Sequence, residues 1–188
     1  MTDDVGKRFS MTDTLVADPP SPFVARWALK LAVLLRHGAR ALDVAAGRGR
    51  NTFALAAAGF RVTAIDIRLD ALIDLSLRAH AAGCTVSAVC ADLTEYPLCR
   101  SAFDLIAVAR YLDRERVTML VDALAPGGVL VYETFTERQL LRARGPRSRA
   151  HLLAPGELRL LVRGMEVLFD EEVTEPDAVA RIVARKRG

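Results

Sequence analysis

The chain has 188 residues, of which 52% are hydrophobic and 26% are charged, so one buried core is expected and global disorder is excluded. The longest run without Asp, Glu, Lys or Arg has 13 residues, at 79–91, whereas a membrane helix needs about 20. The start, MTDDVGKRFS, carries acids where a secretory signal carries bases. The three cysteines have no CxxC spacing. We therefore expect a cytoplasmic protein with no membrane partner, no disulfide framework and no metal.

The net charge of +3 raises the question of a nucleic-acid partner. Of the 26 basic residues 23 are arginines, an imbalance that indicates the codon bias of a GC-rich genome. Basic residues cluster only at 138–149, where five of twelve residues are arginines. A surface that binds nucleic acid carries clustered basic residues over a larger area, so nucleic acid is not expected as a partner. The segment 138–149 is either a solvated loop or a lid that attracts an anionic substrate.

The chain predicts an N-terminal tail or arm followed by a single domain. Residues 1–20 lack a periodic apolar pattern and end in prolines, and the domain is expected at 21–188. Apolar residues at helical spacing follow Pro22. Ser21 suits the cap of this helix, Pro22 its first position and Gly38 its end.

Short apolar runs alternate with helical stretches after residue 38. Strands are predicted at 39–46, 61–66, 84–92, 103–110 and 127–135, and helices at 51–59, 69–83 and 114–124. Strands that are apolar throughout and separated by helices are typical of a parallel sheet covered on both faces.

The C-terminal part has a different pattern. A predicted helix at 153–164 precedes strands at 165–173 and 178–187, which only TEPD separates. A parallel return needs a dozen or more residues, so these strands form an antiparallel hairpin. The prediction is an α/β fold with a Rossmann-like, mainly parallel seven-stranded sheet, a C-terminal antiparallel hairpin and helices on both faces.

A glycine-containing turn, LDVAAGRGRN, joins the first predicted strand to its helix. Gly47 and Gly49 allow the backbone to turn sharply and to approach a ligand, and Asn51 suits the helix cap. Asp66 ends the second strand, where a carboxylate can accept both hydroxyls of a ribose. Asp92 ends the third strand, where the edge of an adenine would lie. Because the carboxyl ends of parallel strands share one edge, these turns predict a nucleoside site.

Two familiar nucleotide sites are disfavoured. Thr52 stands where a dinucleotide loop has its third glycine, and Asp43 stands where such a loop keeps an apolar residue. No Tyr-x-x-x-Lys occurs, which also argues against a nicotinamide oxidoreductase. A P-loop is excluded because the chain contains neither GKS nor GKT.

The ordered series LDVAAGRG, TAID, ADL, FDLIAVARYL and LAPGGVLVYETF resembles the motifs of the class I S-adenosylmethionine-dependent methyltransferases over about residues 39–185. GRGRN and YETF…LLAPGEL are similar to the small branch related to tellurite-resistance methyltransferases. The resemblance implies transfer of a methyl group from S-adenosylmethionine to a small-molecule nucleophile. The alternative is a binding module that keeps the cofactor pocket but is catalytically silent. It arises because RYLDR, starting at Arg110, stands where NYLHR is expected.

The resemblance also implies the site residues. The loop would surround the methionine part of the cofactor, Asp66 would bind the ribose, Arg50 would reach the carboxylate, and the backbone near Ala109 would meet the amino group. The implied cofactor residues are Asp43, Ala45, Gly47, Gly49, Arg50, Asp66, Ile67, Asp92, Leu93 and Ala109.

Three residues are candidates for contact with the substrate, for which an anion is one alternative: Tyr111, Glu133 and His151. The methyl group is already activated, so the enzyme must chiefly position the nucleophile. No catalytic residue is therefore assigned. The oligomeric state is not predicted from the sequence.

Overall fold

The computed structural model describes residues 18–188, and the predicted N-terminal arm lies outside this range except for its last three residues. The strands are β1 (Arg40–Val44), β2 (Arg61–Asp66), β3 (Val86–Cys90), β4 (Phe103–Ala109), β5 (Leu124–Phe135), β6 (Glu166–Val173) and β7 (Val179–Arg185). The helices are α1 (Pro22–Leu34), α2 (Arg50–Ala57), α3 (Leu69–Ala81), α4 (Val117–Ala123) and α5 (Glu157–Leu161). Two short 3₁₀ helices, at 137–141 and 149–151, follow β5.

The strands form one seven-stranded sheet of order β3-β2-β1-β4-β5-β7-β6. β1 to β5 run parallel, and β7 lies antiparallel between β5 and β6. The predicted fold class, including the C-terminal hairpin, is confirmed. Within residues 18–188, no helix combines the length and the apolar character that crossing a membrane requires.

Both faces of the sheet are covered, as the uniformly apolar strands predict. Leu105 and Ala107 of β4 pack with residues of α1 and α2 on one face. Ile106 and Val108, which alternate with them, pack with residues of α4 and α5 on the other. Alternate side chains of a strand point to opposite faces, so a central strand can be apolar at every position.

Several helix boundaries differ from the prediction: α1 ends at Leu34 before Gly38, and α4 begins at Val117. α1 begins as expected, with the Ser21 side chain accepting a hydrogen bond from the Val24 amide at 3.3 Å. α2, however, begins directly after Gly49, so Asn51 does not cap it. The Asn51 side-chain oxygen instead accepts from the Ser21 amide at 2.9 Å and joins the two helix starts. α5 is only five residues long, because the chain turns through left-handed Gly156 immediately before it.

The strand order places a crevice at the carboxyl ends of β1 and β4. From β1 the chain proceeds to β2 and β3 on one side, and then crosses to β4 on the other side of β1. The turns that follow β1 and β4 therefore lead away from each other. In open α/β sheets such a switch point is where ligands bind.

A buried ionic network ties the start of α1 to the C-terminal hairpin. Glu133 is 6% exposed. One of its oxygens accepts from the Ser21 hydroxyl at 2.7 Å, and the other accepts from Arg181 Nε at 2.6 Å. Arg181 also donates to Glu171 of β6 at 3.0 Å. The network joins β5, β6 and β7 to α1, so its loss should weaken the whole C-terminal half of the sheet.

We expect Arg181→Met to lower the free energy of unfolding by about 2–4 kcal/mol, since it leaves the buried Glu133 carboxylate without its cation. Arg185→Met in the same strand is the matched control. Its pair with Glu166 is exposed and 3.5 Å long, so a loss below about 0.5 kcal/mol is expected. Urea unfolding measures both, and equal losses would contradict this account of the network.

Candidate functional site

A cleft of about 570 Å³ opens at the switch point, within the range of small-molecule sites. Its walls come from the turn after β1, the start of α2, one side of α3 and the end of β4. Four of the ten sequence-predicted cofactor residues line it, namely Ala45, Gly47, Arg50 and Ala109. The sheet thus brings together the residues of two turns that are more than 50 residues apart in the sequence.

The turn after β1 holds three residues in the left-handed region. Ala45 has a φ of 53°, Gly47 of 54° and Gly49 of 83°. A Cβ on Gly49 would lie 2.6 Å from Leu75, so glycine is required there for packing against α3. A Cβ on Gly47 would meet nothing within 4 Å, because this backbone faces the open cleft. Gly47 therefore offers its backbone to a ligand at close range.

Asp66 holds this turn in place from the neighbouring strand. Its carboxylate is buried and accepts from the Gly47 amide at 2.7 Å and from the Arg68 amide at 2.8 Å. A carboxylate has about four lone-pair positions, so each oxygen can take a further donor such as a ribose hydroxyl. The structure thus gives Asp66 a part in loop geometry that the sequence did not reveal.

Asp43 lies beneath the turn and outside the cleft lining. It is 1% exposed, and its carboxylate accepts from the Thr52 hydroxyl at 2.6 Å. Burial raises the pKa of Asp43 to about 7, although the bond from Thr52 opposes the shift. This side chain supports the loop from below and does not face the ligand space.

Ile67, Asp92 and Leu93 do not line the cleft. Ile67, which follows Asp66, is 63% exposed, whereas Leu93 is buried. Asp92 is exposed, and its Oδ1 accepts from the amide and the hydroxyl of Thr94. These two bonds hold the pKa of Asp92 below its ordinary value. β2 and β3 pair in parallel up to Asp66, so the turn that carries Asp92 adjoins the end of β2.

None of the three predicted substrate residues lines the cleft. Glu133 is the centre of the buried network, where both of its oxygens are engaged. Tyr111 is half-buried and its hydroxyl lies 3.5 Å from Asp113. Burial, together with the negative charge of Asp113, raises the pKa of Tyr111 to about 12. Its hydroxyl is consequently protonated at neutral pH.

His151 is exposed in the second 3₁₀ helix, and Arg114 fixes this segment to the turn after β4. The Arg114 guanidinium donates to the carbonyls of Ala150 at 3.0 Å and Leu152 at 2.8 Å, and it pairs with Glu157. The segment around His151 is thereby held on the side of the sheet that carries Tyr111.

The arginines of segment 138–149 are mostly paired within the chain. Their partners lie in the turn between β6 and β7 and in the first 3₁₀ helix: Arg142 pairs with Glu175, Arg144 with Asp177 and Arg149 with Glu137. The charge that the sequence concentrates here is therefore largely compensated on the folded surface.

Four arginines of the cleft were missed by sequence reasoning: Arg48, Arg68, Arg78 and Arg110. The i, i+4 spacing of Asp74 and Arg78 on α3 could have identified one ion pair, which measures 2.9 Å. Arg110 directly follows the carboxyl end of β4, a position that by itself indicates a ligand site. Burial and the charge of Arg110 together lower the pKa of Arg50.

Comparison with known proteins identifies the family. Residues 41–128 match the family model described as a methyltransferase domain. A demethylmenaquinone methyltransferase of Clavibacter sepedonicus is 30% identical over 167 residues, which are 86% of this chain and 67% of that protein. The chain belongs to the class I S-adenosylmethionine-dependent methyltransferases, and S-adenosylmethionine is the cofactor of that family.

Two solved structures show the same fold. TehB from Haemophilus influenzae has a TM-score of 0.70 and 20% identity, and the match covers 86% of this chain. The chain spans 62% of the length of TehB. A SAM-dependent methyltransferase from Aquifex aeolicus has a TM-score of 0.69 and 20% identity, with 95% and 99% of the two chains covered. Both likenesses are likenesses of fold.

The residues present fit S-adenosylmethionine. The Gly47 backbone leaves room for a ligand at close approach. The Asp66 carboxylate has free lone pairs for ribose hydroxyls, and Arg50 supplies a cation for the methionine carboxylate. Among residues 18–188, Arg50 forms no ion pair, and its guanidinium donates to the Pro19 carbonyl at 3.4 Å.

The raised pKa of Asp43 predicts a pH dependence of stability. Between about pH 4 and pH 7 the unfolded chain loses the Asp43 proton while the folded chain keeps it, so its contribution to stability falls as the pH rises. The decline approaches about 1.4 kcal/mol per pH unit. Asp43→Asn removes this titration, and its amide oxygen can still accept from Thr52. In urea unfolding at several pH values, the free energy of unfolding of the variant should increase relative to that of the parent as the pH rises. Parallel curves would contradict the assignment.

Proposed function

We propose that this protein transfers the methyl group of S-adenosylmethionine to a small-molecule nucleophile. The observation that carries the proposal is the turn after β1. There the open backbone of Gly47, held by Asp66, faces a cleft of about 570 Å³ at the switch point of the sheet. This arrangement suits a nucleoside whose polar tail extends toward the end of β4.

S-adenosylmethionine, when bound, supplies an activated methyl group: a lone pair of the nucleophile forms the new bond to carbon while the electrons of the carbon–sulfur bond stay on sulfur. The chain's part is to hold both reactants and to exclude water. Asp66 would hold the ribose, and Arg50 the carboxylate of the methionine part. The Ala109 backbone would bind the amino group. Ile67 and Leu93 would contact the adenine, with Asp92 at its edge.

No side chain is required as a general base when the nucleophile is already deprotonated or is a soft atom with a free lone pair. A proton released from other nucleophiles passes to solvent. Tyr111, whose pKa is raised to about 12, is suited to donate a hydrogen bond and not to remove a proton. Contact of Tyr111 and His151 with the acceptor stays a prediction of the sequence, since neither lines the cleft.

The competing proposal is a silent module that binds the cofactor and does not turn it over. Glu133 supports this proposal. Both oxygens of its carboxylate are bound in the buried network, so Glu133 is not available to contact a methyl acceptor. Release of S-adenosylhomocysteine in the presence of small soft nucleophiles separates the proposals, because a silent module releases none.

S-adenosylhomocysteine should bind with micromolar or better affinity and raise the melting temperature. At 100 times its Kd it should add about 2.7 kcal/mol to the free energy of unfolding. Asp66→Asn should weaken binding by about 1.5–3 kcal/mol, since bonds to a charged acceptor are lost. Part of this loss comes from the turn itself, because the Gly47 amide loses its charged partner.

Asp122→Asn is the matched control for this substitution. Asp122 lies in α4 and pairs with exposed Arg100, outside the cleft lining. Isothermal titration calorimetry with the parent and both variants provides the measurement. If the parent shows neither heat nor thermal shift with S-adenosylhomocysteine, the proposed function is refuted. If Asp66→Asn binds as well as Asp122→Asn, Asp66 has no part in binding.

A further inference from the structure

The side chains that line the cleft carry more positive than negative charge. Five arginines and two aspartates line the cleft. S-adenosylmethionine adds to the excess, because its sulfonium and ammonium groups outnumber its single carboxylate at neutral pH. Clustered like charges destabilise a site unless a ligand of opposite charge occupies it. The balance of the loaded cleft therefore favours a second, anionic ligand.

The uncompensated charge lies on one side of the cleft. On the α3 side, Arg68 pairs with Asp70 at 2.7 Å and Arg78 pairs with Asp74 at 2.9 Å. On the β4 side, Arg50 donates to a backbone carbonyl at 3.4 Å. Because Arg50 is assigned to the carboxylate of the cofactor, Arg110, beside Ala109, is the arginine of the β4 side that is left for a second ligand.

Arg110 and Arg144 share one carboxylate there. Arg110 lies 3.3 Å from one oxygen of Asp177, and Arg144 lies 3.1 Å from the other. Two guanidinium groups and one carboxylate leave this cluster with a net positive charge. It is also the point at which segment 138–149 reaches the cleft, since Arg144 belongs to that segment and Arg110 lines the cleft.

Arg110 has a strained backbone, and two contacts hold its side chain. Its φ of 59° is in the left-handed region, which a residue with a Cβ rarely adopts. The guanidinium lies over the Phe135 ring, 5.6 Å from its centre, and the side chain is 51% exposed. Strain of this kind persists where the surrounding structure enforces it, and it occurs most often at ligand sites. A guanidinium held between a ring and a shared carboxylate presents its free N–H groups in a defined direction.

We infer that Arg110, supported by Arg144 through Asp177, binds an oxyanion group of the methyl acceptor, so that the acceptor is a small molecule bearing a carboxylate or a phosphate. This inference rests on the proposed function and specifies its substrate class. Arg110 selects the acceptor and takes no part in the bond-making step. The arginine segment of the sequence contributes through Arg144, while its other paired arginines remain on the surface.

The test uses the protein saturated with S-adenosylhomocysteine. Its carboxylate fills the place that the carboxylate of S-adenosylmethionine would take. Sodium acetate, sodium phosphate and tetramethylammonium chloride are titrated at constant ionic strength, because anion binding is screened by salt. The melting temperature and calorimetric heats are recorded for the parent, Arg110→Gln, Arg110→Lys and Arg163→Gln. Arg163 is exposed and lies outside the cleft, so its variant controls for the lost charge.

One of the two anions should raise the melting temperature of the loaded parent and of Arg163→Gln, and tetramethylammonium should not. Whether acetate or phosphate binds identifies the oxyanion. Arg110→Gln should weaken binding of the anion about tenfold or more, and Arg110→Lys should restore part of the affinity. Equal anion responses in the parent and Arg110→Gln, or no response in the parent, would overturn the inference. Failure of S-adenosylhomocysteine to bind would instead refute the proposed function. Repeating the anion titration without S-adenosylhomocysteine tests the role of Arg110 independently of the cofactor.

Discussion

The bond between the Asp66 carboxylate and the Gly47 amide, 2.7 Å long, is the interaction on which the site depends. It joins the end of β2 to the turn after β1 and fixes the backbone that forms one wall of the cleft. The same carboxylate receives the Arg68 amide and so positions the start of α3. A single buried group thereby sets the relation between two strands and the helix that follows. A nucleoside with free hydroxyls would meet an acceptor that is already oriented.

The electrostatics of the cleft follow from this scaffold. Asp43 lies under the turn, where burial raises its pKa to about 7, so its neutral and charged forms are both populated at neutral pH. The arginines around the rim, by contrast, retain their charge. The carboxylates that would offset them are shared, as Asp177 is between Arg110 and Arg144. A cofactor with a net positive charge and an acceptor with a negative one would together satisfy such a site.

The fold was predictable from the sequence because uniformly apolar strands, glycine-ended helices and the short TEPD turn each allow few alternatives. The meeting of strand ends at one sheet edge was predictable for the same reason, and four of the ten predicted cofactor residues line the cleft there. Glu133 shows where this reasoning stops: its position at a strand end predicted substrate contact, yet Ser21 and Arg181 engage both of its oxygens. Such partners are 112 and 48 residues distant in the sequence, and no local pattern announces them. Arg110 was missed because its neighbours come together only through the hairpin turn.

The central claim is that the turn held by Asp66 is the surface that binds S-adenosylmethionine. Amide chemical shifts of ¹⁵N-labelled protein, recorded during titration with S-adenosylhomocysteine, test it most directly, since each residue reports its own surroundings. The account predicts saturable shifts at residues 45–50, 66–68 and 109–110, with Gly164 and Gly188 unaffected. Saturable shifts confined to other parts of the sheet, or no shifts at all, would contradict it.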